Sequence, residues 1–169
     1  MSVVVAYTNR DECWMAFDSA ISGEGALYIA TTPKAVKHSG NGLIGAAGSW
    51  SVINALEGLK STKCTPYNVI GALRELKKED ETLDSEILFA YPGKPLTLVQ
   101  IDYSVVELKQ PFMAIGVGAP YALGYLESAN NHMGIQKAEL IEAVEAAAKY
   151  DPNVSGPVKV LRCSIEKDK

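Results

Sequence analysis

Apolar positions fall into short runs whose spacing switches from strand-like to helical and back twice along the chain. Val3 to Tyr7 and Cys13 to Asp18, joined by the polar turn TNRDE, read as a hairpin at the start of the sequence. Ala26 to Thr31 and Leu43 to Ala47 are two further strand candidates. Between them lies TPKAVKHSGNG, in which Pro33 and the Gly40-Asn41-Gly42 cluster mark bends. Gly45, Ala46, Ala47 and Gly48 are all small, which implies close backbone approach. From Ser49 the spacing becomes helical, with Val52, Leu56 and Leu59 in phase behind Ser49 or Ser51 as caps. Pro66 to Lys78 forms a second helix, since Pro66 suits a first turn and Val69, Ile70, Leu73 and Leu76 make one stripe. The run KKEDETLDS ends it.

Ser85 to Ala90 and Pro95 to Ile101 flank the turn Tyr91-Pro92-Gly93-Lys94, and Val105 to Leu108 with Phe112 to Val117 extend an antiparallel meander. Two more helices are predicted at Pro120 to Ser128 and at Lys137 to Tyr150, the latter with Leu140, Ile141, Val144 and Ala148 on one face. Val158 to Ile165 is the last strand. Helices thus come in two pairs instead of alternating with strands, which argues against a doubly wound parallel sheet. The order suits an α+β, four-layer αββα sandwich: two antiparallel sheets packed face to face, with a helix pair outside each.

At 169 residues the chain is the size of one domain, 1–169, with a core of useful size. Apolar residues make up 47% and charged residues 21%, a globular balance. The net charge of −4 leaves no basic excess to neutralise a phosphate backbone, so nucleic acid is excluded as the expected partner. The opening MSVVVAYTNRDECW has neither a basic n-region nor a long apolar run, so no signal peptide or membrane span is read and the expected location is the cytoplasm.

Cys13, Cys64 and Cys163 are far apart and odd in number, and they read as buried thiols with no metal site. His38 and His132 are the only histidines, too few to build a Ser-His-Asp site without assuming a fold. Gly116-Val117-Gly118 lacks the third glycine of a dinucleotide fingerprint, because Tyr121 stands in its place. It reads as a tight strand-to-helix turn opened by Pro120, and no cofactor is expected. Taken singly, Asp18 reads as a strand-ending residue, Lys34 as a solvated loop lysine and Asp151, before Pro152, as a turn residue.

Their order and spacing carry more. Ser2 opens the first strand, Asp18 ends the second, Lys34 lies in TPKAVK, and Gly48 lies in LIGAAGSW. Further on come AIGVGAPYALGYLE and DPNVSGPVKVLR. From Ser2 to about Leu161 this arrangement resembles the proteasome β-subunit and HslV-like family of N-terminal nucleophile hydrolases. The resemblance implies peptide or amide hydrolysis through a Ser2 acyl-enzyme once Met1 is removed, with a catalytic set of Ser2, Asp18, Lys34, Gly48 and Asp151.

The chemistry is simple to state. A hydroxyl needs a base to become nucleophilic, and an N-terminal residue carries its own in the α-amine, whose ordinary pKa is about 7.7 to 8.0. A lysine ammonium beside it disfavours the protonated amine and stabilises a developing alkoxide. The resemblance assigns those parts to Lys34, held by Asp18. It assigns orientation of the amine to Asp151 and the oxyanion donor to the Gly48 N–H.

The chain departs from the family pattern in having Ser for Thr at the nucleophile, and Val117 and Val154 where hydroxyl residues are usual. A non-catalytic scaffold or binding protein is therefore the alternative expectation. The resemblance also maps a substrate pocket onto Ile21, Thr32, Val36, Ala46 and Trp50, and the bulk of Trp50 predicts a shallow one. Expected partners are a peptide or protein substrate, further copies of the chain in a homo-oligomer or ring, and an ATPase unfoldase.

Overall fold

The computed structural model describes residues 2–23, 26–58, 64–79, 83–100 and 102–165. Met1, Leu59, Ile101 and the 80–82 part of the helix-ending run lie outside the described residues. Two strands, β1 (Val4–Thr8) and β2 (Glu12–Phe17), form the expected hairpin, in register Val4↔Phe17 to Thr8↔Cys13. After them come β3 (Ala20–Gly23), β4 (Ala26–Ile29), β5 (Ala35–His38) and β6 (Gly42–Gly48). Helices α1 (Trp50–Gly58) and α2 (Pro66–Glu79) follow. The meander is β7 (Ser85–Ala90), β8 (Thr97–Val99), β9 (Val105–Glu107) and β10 (Phe112–Ile115). Then come α3 (Ala119–His132), α4 (Lys137–Tyr150) and β11 (Lys159–Ser164).

The strands make a four-stranded sheet in the order β10-β1-β2-β11 and a five-stranded sheet in the order β5-β6-β7-β8-β9. β3 and β4 pair separately, and every pairing is antiparallel.

Side-chain alternation explains the layering. Val4 and Ala6 of β1 share a buried cluster with Met15 and Phe17 of β2 and with Leu43, Leu88, Ala90 and Leu98 of the other sheet, so these faces meet. Val3, Val5 and Ala16 point the opposite way, against Ala122 and Leu126 of α3 and Leu140, Ala143, Val144 and Ala147 of α4. On the far side, Ile44, Ala46, Ile87 and Phe89 pack on Val52, Ile53 and Leu56 of α1 and Val69, Ile70 and Leu73 of α2. Both faces of each sheet are covered, which is why its central strands read as nearly continuous apolar runs. The molecule is the αββα sandwich that the order of elements predicts.

Some elements differ from the sequence reading. β3 and β5 were not expected. Each has four residues, and alternation in β5 is masked because Lys37 is exposed while His38 is buried. On α4 the buried stripe runs through Ala143 and Ala147, and Ala148 is exposed. Gly45 is needed for close sheet packing, since a Cβ there would strike Val4 at 2.7 Å.

The cysteines are free and buried. His38 is also buried. Its Nδ1 accepts the Gly40 N–H at 3.1 Å, its ring stands edge-on to Tyr91, and its Nε2 has no partner among the described residues. Burial lowers its pKa from the ordinary 6.5. As pH falls below that value, the unfolded chain takes up a proton that the folded chain resists, so His38 makes stability fall with pH. Urea midpoints should therefore drop more between pH 7.5 and pH 5 in the parent chain than in His38→Asn, which keeps an acceptor near the Nδ1 position. Parallel profiles would contradict this.

Candidate active site

One end of the sandwich gathers four of the five residues that the resemblance singles out. Ser2 lies just before β1, and Asp18 follows β2 directly. Since β1 and β2 pair through Val4↔Phe17, Asp18 faces Val3, the residue after Ser2, across the open end of the hairpin. Lys34 precedes β5 and Gly48 ends β6. The Lys34 carbonyl accepts the Ala46 N–H at 2.8 Å, tying these two to the same edge of the opposite sheet.

The Asp18 carboxylate is the hub. Its Oδ1 accepts the Val3 N–H at 2.9 Å and the Lys34 Nζ at 2.7 Å. Its Oδ2 accepts the N–H groups of Ala20 at 3.2 Å and Ser155 at 3.4 Å. Four donors saturate the lone pairs of one carboxylate. Lys34 and Asp18 form a buried ion pair, with side chains 2% and 1% exposed. Burial pushes the Lys34 ammonium below its ordinary pKa of 10.5, while the Asp18 charge and hydrogen bond pull it back up. Charge at this buried spot is thus held by one partner.

Ser2 is 1% exposed, and its Oγ has no hydrogen-bond partner among the described residues. An orphaned buried hydroxyl in a well-packed end is rare in native structures and calls for an explanation. Two cavities meet at Ser2 and Gly48. The smaller, about 100 Å3, is lined by Ser2, Ala20, Ile21, Lys34, Gly48, Trp50 and Ile53. The larger is a cleft of about 830 Å3 whose walls include Ser85, Glu86, Gly116 and Val117.

Gly48 has φ +119°, and a Cβ there would run into the backbone of Asp84 and Ser85. Only glycine keeps this strand end open beside Ser2. Gly116, at φ +90°, is pressed on the Ser2 carbonyl in the same way.

The remaining sequence-derived residues fall elsewhere. Asp151 follows α4, and its Oδ1 accepts the backbone N–H and the side-chain amide of Asn153, both at 2.9 Å. It lines neither cavity. The turn it closes reaches the site through the backbone of Ser155, whose N–H meets Asp18 and whose carbonyl accepts Ala20 N–H at 3.0 Å.

Of the pocket residues, Ile21 and Trp50 line the small recess. Val36 and Ala46 instead lie in the core beneath α1, and Thr32 lines neither cavity. Val117 lines the cleft, whereas Val154 is buried against Gly118.

Sequence reasoning missed Glu86. Its Oε2 accepts the Gly116 N–H at 3.0 Å, placing a carboxylate on the loop that touches Ser2. The available signal was a lone charge in the otherwise apolar run of β7.

No protein-family profile matches the chain, and no curated protein matches it in sequence. Its fold is widely shared among solved structures. Thiobacillus denitrificans BPH in complex with epoxomicin superposes with a TM-score of 0.79 at 20% identity, over 98% of this chain and 100% of that one. Eukaryotic HslV from Trypanosoma brucei gives 0.72 at 17% identity, over 96% and 99%. Anbu, the ancestral beta-subunit, from Yersinia bercovieri gives 0.75 at 14% identity, over 96% and 81%. The fold of this chain is that of the proteasome-like N-terminal nucleophile hydrolases.

Proposed function

We propose that the chain is an N-terminal nucleophile hydrolase that cleaves peptide or amide bonds through Ser2 after loss of Met1. The observation that carries this reading is the buried Ser2 Oγ, without a partner among the described residues, in a residue that lines two cavities beside a buried Lys34–Asp18 pair. The neutral α-amine of Ser2 takes the hydroxyl proton as Oγ attacks the carbonyl carbon. The Gly48 N–H is assigned to the carbonyl oxygen as it gains charge. On collapse the C–N bond breaks and the ammonium returns its proton to the leaving amine. Water then attacks the Ser2 ester, losing a proton to the same amine, and as the acyl C–Oγ bond breaks the ammonium returns that proton to Oγ and the acid product departs.

Lys34 stabilises negative charge on Oγ and keeps the amine unprotonated, and Asp18 keeps Lys34 in place. Asp151 is retained only as the residue that shapes the turn carrying Ser155. Self-association and a partner ATPase belong to this reading as well. In BPH the same fold holds epoxomicin, so an epoxyketone is a suitable probe.

The recess of about 100 Å3, closed by Trp50, sets the acyl-side preference at small residues such as Ala. A peptidyl fluorophore with Ala at that position should be cleaved about tenfold or more faster than its Phe counterpart. Trp50→Ala should reverse the order for Leu or Phe, and a parent chain that prefers Phe would contradict the assignment.

A specific observation favours the second reading, a non-catalytic scaffold: Val117 and Val154 present no hydroxyl near Ser2. Failure of a Met1-free chain to hydrolyse any small-residue amide would decide for it. No helix among the described residues is long and apolar enough to cross a membrane.

A further inference from the structure

The large cleft beside Ser2 is one-sided in charge. Asp84, Glu86 and Asp102 line it, and among the described residues no Lys or Arg does. The carboxylates come from two stretches, Asp84 and Glu86 at the start of β7 and Asp102 after β8, and line one cavity of about 830 Å3. Glu86 is tied through one oxygen to Gly116, and Asp102 accepts the Ser104 N–H at 2.9 Å. Both carboxylates are thereby oriented.

Lys77 of α2 acts on Asp102 but sits with Arg74 over the Tyr103 ring, at 5.8 Å and 5.1 Å from its centroid. Lys34 is consumed by Asp18. An acidic cluster alone would mean little on a chain of net charge −4, but this one shares its cavity with Ser2, whose buried hydroxyl has no partner among the described residues. A cleft lined by charges of one sign concentrates ligands of the other, the more so at low ionic strength.

We infer that the substrate is a peptide carrying Lys or Arg next to the small residue that occupies the Trp50 recess, with its cationic side chain held by Asp84, Glu86 and Asp102. This rests on the hydrolytic reading for the word substrate, but the charge selectivity itself is a property of the cleft and shows in binding alone.

The test uses three quenched peptides with one Ala-Ala core, flanked on both sides by Lys, by Gln or by Glu. The Met1-free chain should cleave the Lys peptide about tenfold faster than the Glu peptide in kcat/KM at low ionic strength, with Gln between. The ratio should shrink to about twofold near 0.5 M salt. It should also collapse toward one in Asp84→Asn/Asp102→Asn, both exposed positions.

In parallel, fluorescence anisotropy with Ser2→Ala measures affinity for the same peptides uncleaved. A Lys-over-Glu preference in binding, with no cleavage by the parent chain, would uphold the cleft assignment and defeat the hydrolytic reading. Cleavage and binding that ignore charge, or favour Glu, would overturn the cleft assignment and leave hydrolysis standing.

Discussion

Replacing Ser2 by Ala is expected to abolish amide hydrolysis, lowering kcat/KM by at least about 10,000-fold, while leaving the fold intact. The two halves of that expectation have one cause. The Ser2 Oγ is buried with no partner among the described residues, so deleting it breaks no hydrogen bond and removes an unsatisfied polar atom. Thermal unfolding should be unchanged or shifted slightly upward.

Neighbouring hydroxyls cannot take over. Ser85 Oγ donates to the Asp84 carbonyl and accepts the Ser49 N–H at 2.9 Å, and Ser49 Oγ pairs with Ser51 Oγ. Ser2→Thr keeps the hydroxyl and should retain activity. Comparable rates for Ser2→Ala and the parent chain would remove Ser2 from the chemistry.

Asp18→Asn has the largest expected effect on stability, about 3 to 5 kcal/mol of destabilisation, read from urea midpoints at pH 7.5. It strips from Lys34, a side chain 2% exposed, its one ion-pair partner among the described residues, leaving a buried charge to be neutralised or hydrated. The amide also offers one acceptor oxygen where the carboxylate offers two, so some of the Val3, Ala20 and Ser155 N–H groups lose their bond. Lys34→Met in the same chain should recover much of the loss, because no uncompensated charge then remains. The double variant should be folded and inactive. An Asp18→Asn chain as stable as the parent would show that the pair contributes nothing to folding.

Much of the architecture was legible because both sheets are covered on both faces. Runs such as Val3 to Tyr7 and Ser85 to Ala90 are apolar whichever way they point, and the two helix pairs show plain 3.6-residue stripes. The failures are short or non-local. Lys37 and His38 in β5 look like loop residues, and nothing in the local pattern says that His38 is buried. Val36 and Ala46 lie two residues farther into the sheet than Lys34 and Gly48 on the same strands, and there α1 covers them. That cover is a tertiary fact with no local signature.

At the site, Asp18 and Lys34 were singled out only by the family resemblance; taken singly they read as a strand-ending residue and a solvated loop lysine, and the structure buries them as a pair. The place of the Asp151 carboxylate was not legible, since which of several turn groups reaches back depends on the path of residues 151–155. Here the backbone of Ser155 does so. Glu86 was visible only as one charge in an apolar strand, and its role needs the Gly116 loop beside it.

The most direct measurement is the intact mass of the purified chain before and after incubation with a small-residue peptide epoxyketone. The hydroxyl of Ser2 adds to the ketone and its free amine opens the epoxide, so one adduct requires both groups on one residue. The expected result is a chain lacking Met1 that gains one inhibitor mass, with no gain in Ser2→Ala. A Met1-free chain that stays unlabelled, or labelling that persists in Ser2→Ala, would contradict an N-terminal Ser2 nucleophile.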